Sequence, residues 1–286
     1  MTPNTDAINS SLELIARACR DLNMSEHHVD NVVNTARAGL PREDESPHLP
    51  TDLVTGFGPI DYLIAPVKNN TRIHIYGRAS SAKTAIIAHV VNAMMNQFDG
   101  LHTLWLDSTY KLNKKFFTKF GFNDNLNFLQ ASTVTNEILN IILSGKYRLL
   151  VIDDVASFKQ KSSTMLYRIL YYCRTYKIMV WLANQVREVP KTGRIYSSKQ
   201  ELLTSYDLTL RTMKYRVHYD QKFSDYDVKL EYHQHTGRMD GESVVIPIST
   251  TGHVKDHLMK KRLDRMASVA DHDDFESYIN ERMKSD

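Results

Sequence analysis

At 286 residues and 33.0 kDa, the chain is long enough for one large domain, or for a core domain with a small appendage. Its 42% hydrophobic and 24% charged residues match an ordinary globular protein and exclude a wholly disordered, collagenous or low-complexity chain. The formal net charge of +3 names no partner by itself, but residues 1–50 hold four basic and eight acidic side chains, so the basic excess falls on the larger remainder.

The start, Met1-Thr2-Pro3-Asn4-Thr5-Asp6, lacks the basic and apolar pattern of a secretory leader, and no apolar run approaches the roughly 18 residues that span a bilayer. Two cysteines, Cys19 and Cys173, are too few for a disulfide framework, so the expectation is a soluble intracellular chain in a reducing compartment, without a membrane partner. Residues 1–41 read as a small helical segment, with one apolar stripe at Leu12, Ile15, Ala16 and Cys19 and a second at Val29, Val32, Val33 and Ala36. Ser25 suits a cap for the second helix, and Gly39 with Pro41 ends it. Residues 42–52, proline-rich and acidic at Glu43, Asp44 and Glu45, read as a linker.

From residue 53 to 252 a core is expected. Apolar runs at Ile73–Tyr76, Leu101–Leu106, Asn127–Gln130, Leu149–Ile152 and Ile178–Leu182 alternate with helical patterns near 85–97, 133–144 and 160–176. That rhythm predicts an α/β fold with a mostly parallel central sheet and helices on its faces. After 203 the pattern becomes alternating and rich in Tyr and Val, at 207–218, 226–233 and 243–248, which predicts an antiparallel extension of the sheet. Residues 253–286 are basic first and acidic later, with an apolar stripe at Phe275, Tyr278, Ile279 and Met283; they read as a charged amphipathic helix that either folds onto the core or docks a partner.

The strongest local pattern is Gly77-Arg78-Ala79-Ser80-Ser81-Ala82-Lys83-Thr84, which follows a predicted strand and opens a predicted helix. Backbone N–H groups at a helix N-terminus face an anion, a Lys reaches the outer phosphates, and a Thr hydroxyl ligates Mg²⁺. The strict pattern is Gly-x4-Gly-Lys-Ser/Thr, and here Ala82 replaces the second Gly, setting a Cβ where backbone and phosphate meet most closely. Arg148-Leu149-Leu150-Val151-Ile152-Asp153 supplies an apolar strand ending in a carboxylate, the second half of an ATP and Mg²⁺ site. The expected cofactor-binding set is therefore Gly77, Ser80, Ser81, Ala82, Lys83, Thr84 and Asp153, with Thr84 and Asp153 on the metal.

A third segment, Val180-Trp181-Leu182-Ala183-Asn184-Gln185-Val186-Arg187, is a strand ending in Asn-Gln that runs into a basic loop. With it, residues 53–250 resemble the RecA/RadA strand-exchange family, whose cores carry these three elements in this order. The entry segment Thr55-Gly56-Phe57-Gly58-Pro59-Ile60-Asp61-Tyr62-Leu63 is similar to that family's, and Met24–Pro41 resembles the last helix of its small N-terminal domain. The resemblance implies a RecA-type core in which Gln185 senses the terminal phosphate and the following loop contacts single-stranded DNA. In that loop Arg187, Lys191, Arg194 and Lys199 are the phosphate-neutralising cations and Tyr196 the stacking ring. A second basic cluster, Lys111, Lys114, Lys115 and Lys119, reads as a solvated helix face.

The departures from the family define the expected role. Its second strand ends Asp-x-Glu, with the Glu activating water, whereas here the end is Asp107-Ser108-Thr109 and a neutral hydroxyl cannot act as that base. Asp154 is the nearby carboxylate that could replace it. Ile64-Ala65-Pro66 replaces a Gly-Gly turn, and residues 41–52 lack the Phe-x-x-Ala that links family filaments; Phe128-Leu129-Gln130-Ala131 spells it, but inside a strand expected to lie in the core. These losses describe a degenerate recombinase paralogue, binding or capping a recombinase filament on single-stranded DNA as part of a hetero-oligomer, with little or no hydrolysis. Such a role implies the nucleus, or the cytoplasm if the chain is prokaryotic or from a phage. The alternatives are an active DNA-dependent ATPase or recombinase and a phosphotransferase unrelated to DNA. The histidine sets His27-His28, His233-x-His235 and His253-x3-His257 lack a third ligand and read as exposed polar residues.

Overall fold

The computed structural model describes residues 48–159, 163–188, 195–196, 206–220, 223–232, 242–249 and 251–255, with isolated positions between 13 and 29 and between 258 and 264. The expected helices of residues 1–41 and the stripe at Phe275–Met283 therefore lie almost wholly outside the described residues, as do Lys191, Arg194, Lys199, His27, His28, His233, His235 and His257.

The first elements are β1 (Asp52–Leu53), α1 (Gly58–Ile64), β2 (Val67–Lys68), β3 (Arg72–Gly77) and α2 (Lys83–Gln97). Next come β4 (Thr103–Asp107), α3 (Lys114–Lys119), β5 (Leu126–Gln130), α4 (Asn136–Ile142) and β6 (Leu149–Asp153). A short 3₁₀ turn (Val155–Ser157) leads to α5 (Ser163–Thr175), β7 (Met179–Gln185), β8 (Arg187–Glu188) and β9 (Ile195–Tyr196). The long strands β10 (Leu208–Asp220), β11 (Phe223–Tyr232) and β12 (Ser243–Ile248) complete the order.

Eight strands form one sheet in the order β12-β11-β10-β3-β7-β6-β4-β5. From β10 to β5 every pairing is parallel, and β11 pairs antiparallel with both β10 and β12. The α/β class, the mostly parallel sheet and its antiparallel extension are therefore as the sequence rhythm predicts. Both faces of the central strands are covered, which is why β4, β6 and β7 read as near-continuous apolar runs. Alternate residues serve different cores. Trp105, Leu149, Val151 and Trp181 pack with α1, α2 and α3 on one face. Leu104, Leu106, Leu150, Ile152, Val180 and Leu182 pack with α4 and α5 on the other.

Several boundaries differ from the sequence expectation. Leu49, placed in the linker, is buried in the first core, where Asn69 holds it by donating Nδ2–H to the Leu49 carbonyl at 2.8 Å. Beyond residue 252, Val254, Met259 and Leu263 join the same core. The strand carrying Phe128-Leu129-Gln130-Ala131 lies at the edge of the sheet, and its Phe128 and Leu129 are half-buried rather than enclosed. Of the basic cluster, Lys114, Lys115 and Lys119 sit exposed on α3, while Phe117 turns inward against Trp105. Among the described residues no helix is long and apolar enough to cross a membrane.

Candidate functional site

Parallel pairing brings the sequence-distant motifs to one edge. Gly77 lies opposite Gln185, and Asp107 opposite Asp153, so the carboxyl ends of β3, β7, β6 and β4 stand side by side. The chain leaves β4 toward the α3 face but leaves the neighbouring β6 toward the α5 face. Such a divergence at the carboxyl ends of neighbouring strands is the place where open α/β sheets bind ligands.

The Gly77–Thr84 loop enters α2 through left-handed backbone at Ser80 (φ 58°) and Ala82 (φ 64°). Ala82 thus adopts the conformation that glycine takes without cost, while its methyl packs against the first core. The departure from Gly is accordingly a matter of backbone strain, with the side chain turned into the protein. Gly77 has a different constraint. A Cβ there would lie 2.3 Å from Thr212 Oγ1 and 2.6 Å from Ser81 Oγ, so β10 and the loop close on it directly.

Lys83, largely buried, donates from Nζ to the carbonyls of Gly77 at 3.0 Å and Arg78 at 2.8 Å. Burial pulls its pKa below the ordinary lysine value, against the pull of Asp154 and Asp153. Thr84 Oγ1 donates to Asp153 Oδ2 at 2.8 Å, joining the start of α2 to the end of β6. Burial lifts the Asp153 carboxyl to about 7; the Thr84 hydrogen bond opposes the rise, and Asp154 and Asp107 add to it. A hydroxyl and a carboxylate in contact, beside a lysine at a helix N-terminus, form a donor set that fits a Mg²⁺-bound polyphosphate. Thr84 and Asp153 would share the metal, and Lys83 with the loop N–H groups would take the phosphates. Among the described residues no group of three or more His, Cys, Asp and Glu is placed to hold a metal ion without such a ligand.

Asp154 is buried and its carboxyl is raised, chiefly by burial. Its Oδ1 accepts from the backbone N–H groups of Gln185 and Ala156, each at 3.0 Å. Gln185 itself exposes its side chain at the end of β7. Thr109 is turned back on its own strand, donating both its N–H (2.8 Å) and its hydroxyl (2.7 Å) to Asp107 Oδ1. Asp107 Oδ2 accepts from Leu112 N–H and Gln130 Nε2, so this fully buried carboxylate organises the β4–α3 loop. Ser108 completes the frame. Its N–H donates to the Asp153 carbonyl at 2.7 Å, and its hydroxyl bridges the Asp154 carbonyl (2.5 Å) and N–H (3.0 Å).

Of the expected residues, Gly77, Ser80, Ala82, Lys83, Thr84, Asp153, Asp154 and Gln185 come together at this edge. Ser81 is part of the loop, but its buried hydroxyl is engaged with Thr212 on β10. For Arg187 and Tyr196 only the backbone is described, in the β8–β9 pair that directly follows Gln185. Lys111, expected on a solvated helix face, instead precedes α3 on the β4–α3 loop, where its charge lowers the Asp154 carboxyl; Thr212 had no expected role at the site. Thr212 belongs to no contiguous motif, and Asp107 and Ser108 were visible only as the end of a strand. The entry segment proves to be a tight helix start, with Asp61 Oδ1 accepting from Thr55 N–H at 2.7 Å and burial lifting the Asp61 carboxyl to about 6. His253, from the histidine sets, packs against Phe120 and His89. A scan against protein-family models finds no match to this chain, and no curated protein matches it in sequence.

Proposed function

We propose that the chain is a RecA-type nucleotide-binding protein that holds ATP and Mg²⁺ at the Gly77–Thr84 loop and turns it over slowly or not at all. On this reading it acts as an accessory recombinase paralogue, binding or capping a recombinase filament on single-stranded DNA. The observation that carries the nucleotide part is the 2.8 Å contact between Thr84 and Asp153, two residues 69 apart in sequence, beside the buried Lys83. Support for slow turnover comes from Thr109, whose hydroxyl is committed to Asp107 and is a poor proton acceptor at neutral pH. The recombination role rests on the resemblance of the three motifs and on the basic loop after Gln185.

The first test is titration of a fluorescent ATP analogue with Mg²⁺ against the whole chain and its Lys83→Ala variant, paired with a turnover assay with and without single-stranded DNA. Binding that the substitution weakens, with turnover about 10²–10⁴-fold below that of a base-assisted enzyme, fits the proposal. Absence of nucleotide binding sinks it. For the DNA part, replacing Arg187, Lys191 and Arg194 together with Ala should weaken single-strand binding. It should also lower the slope of log K against log salt by about two, at roughly 0.7 per phosphate contact. Unchanged affinity and slope would remove this loop from the DNA surface.

One observation favours a second reading, an active ATPase. Asp154 is a carboxylate beside the candidate phosphate site whose pKa is raised by burial, a property that suits a general base. Turnover stimulated by DNA and abolished by Asp154→Asn would select that reading.

A further inference from the structure

Behind the Gly77–Thr84 loop stands a residue outside every motif. Thr212 lies on β10 opposite Gly77, with its side chain 2% exposed. Its Oγ1 donates to the Tyr76 carbonyl at 3.3 Å and lies 2.7 Å from Ser81 Oγ, itself 2% exposed. Ser81 is flanked by the two left-handed non-glycine residues Ser80 and Ala82. A backbone strained on both sides of one anchored residue keeps its shape only while the anchor holds.

We infer that Thr212 is a positioning residue for the nucleotide site, fixing through Ser81 the loop conformation that presents successive N–H groups to phosphate. The inference rests on the nucleotide reading above. Without the anchor the loop would relax toward less strained backbone, and bound nucleotide would have to restore the ordered form, which weakens binding. Gly77 belongs to the same arrangement, because only a residue lacking Cβ lets Thr212 and Ser81 approach across it.

The test compares the unaltered chain with Thr212→Val, Thr212→Ser, Ser81→Ala and the Thr212→Val/Ser81→Ala double variant. Each is titrated with a fluorescent ATP analogue and Mg²⁺ well below its melting temperature. Thr212→Val keeps the shape and removes the hydroxyl, so affinity should fall about three- to tenfold, the range of one hydrogen bond. Ser81→Ala should match it, Thr212→Ser should restore binding, and the double variant should bind no worse than either single one. Should Thr212→Val fail to fold, Ser81→Ala and Thr212→Ser still decide the matter. Wild-type affinity in Thr212→Val or Ser81→Ala, whatever happens to thermal stability, overturns the inference, and so do losses that multiply in the double variant. If the unaltered chain itself binds no nucleotide, the failure lies in the functional reading, and the inference falls with it.

Discussion

Replacing Gly77 with Ala is the sharpest probe of how this edge of the sheet is built. Gly77 has ordinary rather than left-handed backbone, so alanine meets no conformational barrier and the question is one of space. A Cβ would lie 2.3 Å from Thr212 Oγ1, 2.5 Å from the Thr212 carbonyl oxygen and 2.6 Å from Ser81 Oγ, where ordinary contact begins near 3.4 Å. Each neighbour must therefore retreat by about 1 Å, and one of them is backbone paired in the β3–β10 ladder. Overpacking of this kind costs about 1–3 kcal/mol, and losing the Ser81–Thr212 hydrogen bond adds about 0.5–1.5 kcal/mol. The sum, about 2–4 kcal/mol, corresponds to a fall in Tm of about 5–15 °C for a domain of this size. Thermal unfolding followed by circular dichroism measures it directly. Adding Thr212→Ala to Gly77→Ala should recover part of the loss and no more, because the clash with the Thr212 carbonyl remains. A Gly77→Ala protein melting within about 2 °C of the unaltered chain would refute the close approach of β10 to the loop.

Three other outcomes follow from the same structure. Ala82→Gly should leave urea stability unchanged or raise it by up to about 1 kcal/mol, since relief of about 1–2 kcal/mol of left-handed strain offsets the unfolded-state entropy gain and one lost methyl contact; a loss above about 1 kcal/mol contradicts it. His74, fully buried and stacked between Tyr76 and Tyr206, has its pKa lowered from 6.5 to about 3 by desolvation. The unfolded chain therefore takes up the proton first, and stability falls as pH drops below 6.5; His74→Phe should remove about 2 kcal/mol of the loss between pH 7.5 and 5 in parallel urea titrations, and identical pH slopes would show the imidazole to be solvated. Asp153 is shifted the other way, from 3.8 to about 7, so the folded protein retains its proton longer and ligand-free stability declines as pH rises through that window. Asp153→Asn should flatten that decline, while affinity for Mg²⁺-nucleotide in the unaltered chain should rise with pH and level off near 7, because the metal requires the ionised carboxylate; affinity independent of pH between 5.5 and 8 would exclude Asp153 from the metal.

The elements were legible where burial imposes a period. Strand β6, enclosed on both faces, and helix α2 and edge strand β12, with their amphipathic and alternating patterns, fall within two residues of the sequence expectation. The differences have local causes. The apolar run beginning at Leu101 becomes a strand only at Thr103, since Leu101 N–H closes a turn on the Phe98 carbonyl. The helix expected over 133–144 is confined to Asn136–Ile142, ending where Leu143 and Ser144 bond back and Gly145 takes a positive φ. The β5 strand carries the apolar content of a core strand yet lies at the sheet edge, because strand order is invisible to a pattern with period two.

Strand order also divides what could be read of the site from what could not. Lys83 and Thr84 stand out because the pattern of a candidate anion-binding helix start is contiguous in sequence, and Asp153 because a carboxylate ends an apolar strand. The contacts that hold these groups in place join residues far apart: Ser108 to Asp154 across 46 positions and Ser81 to Thr212 across 131. Each exists only because β4 lies beside β6 and β10 beside β3, adjacencies created by crossovers that skip intervening strands. Thr109 shows the same division at one residue. The sequence shows only that the position where the RecA/RadA resemblance would put a catalytic carboxylate holds a threonine. The fold adds that its hydroxyl donates to Asp107, a partner already collecting N–H groups from Thr109, Leu112 and Gln130. A glutamate at 109 would lack that proton and would press its own charge against the buried Asp107, so Thr109→Glu would disturb the β4–α3 loop that Asp107 holds.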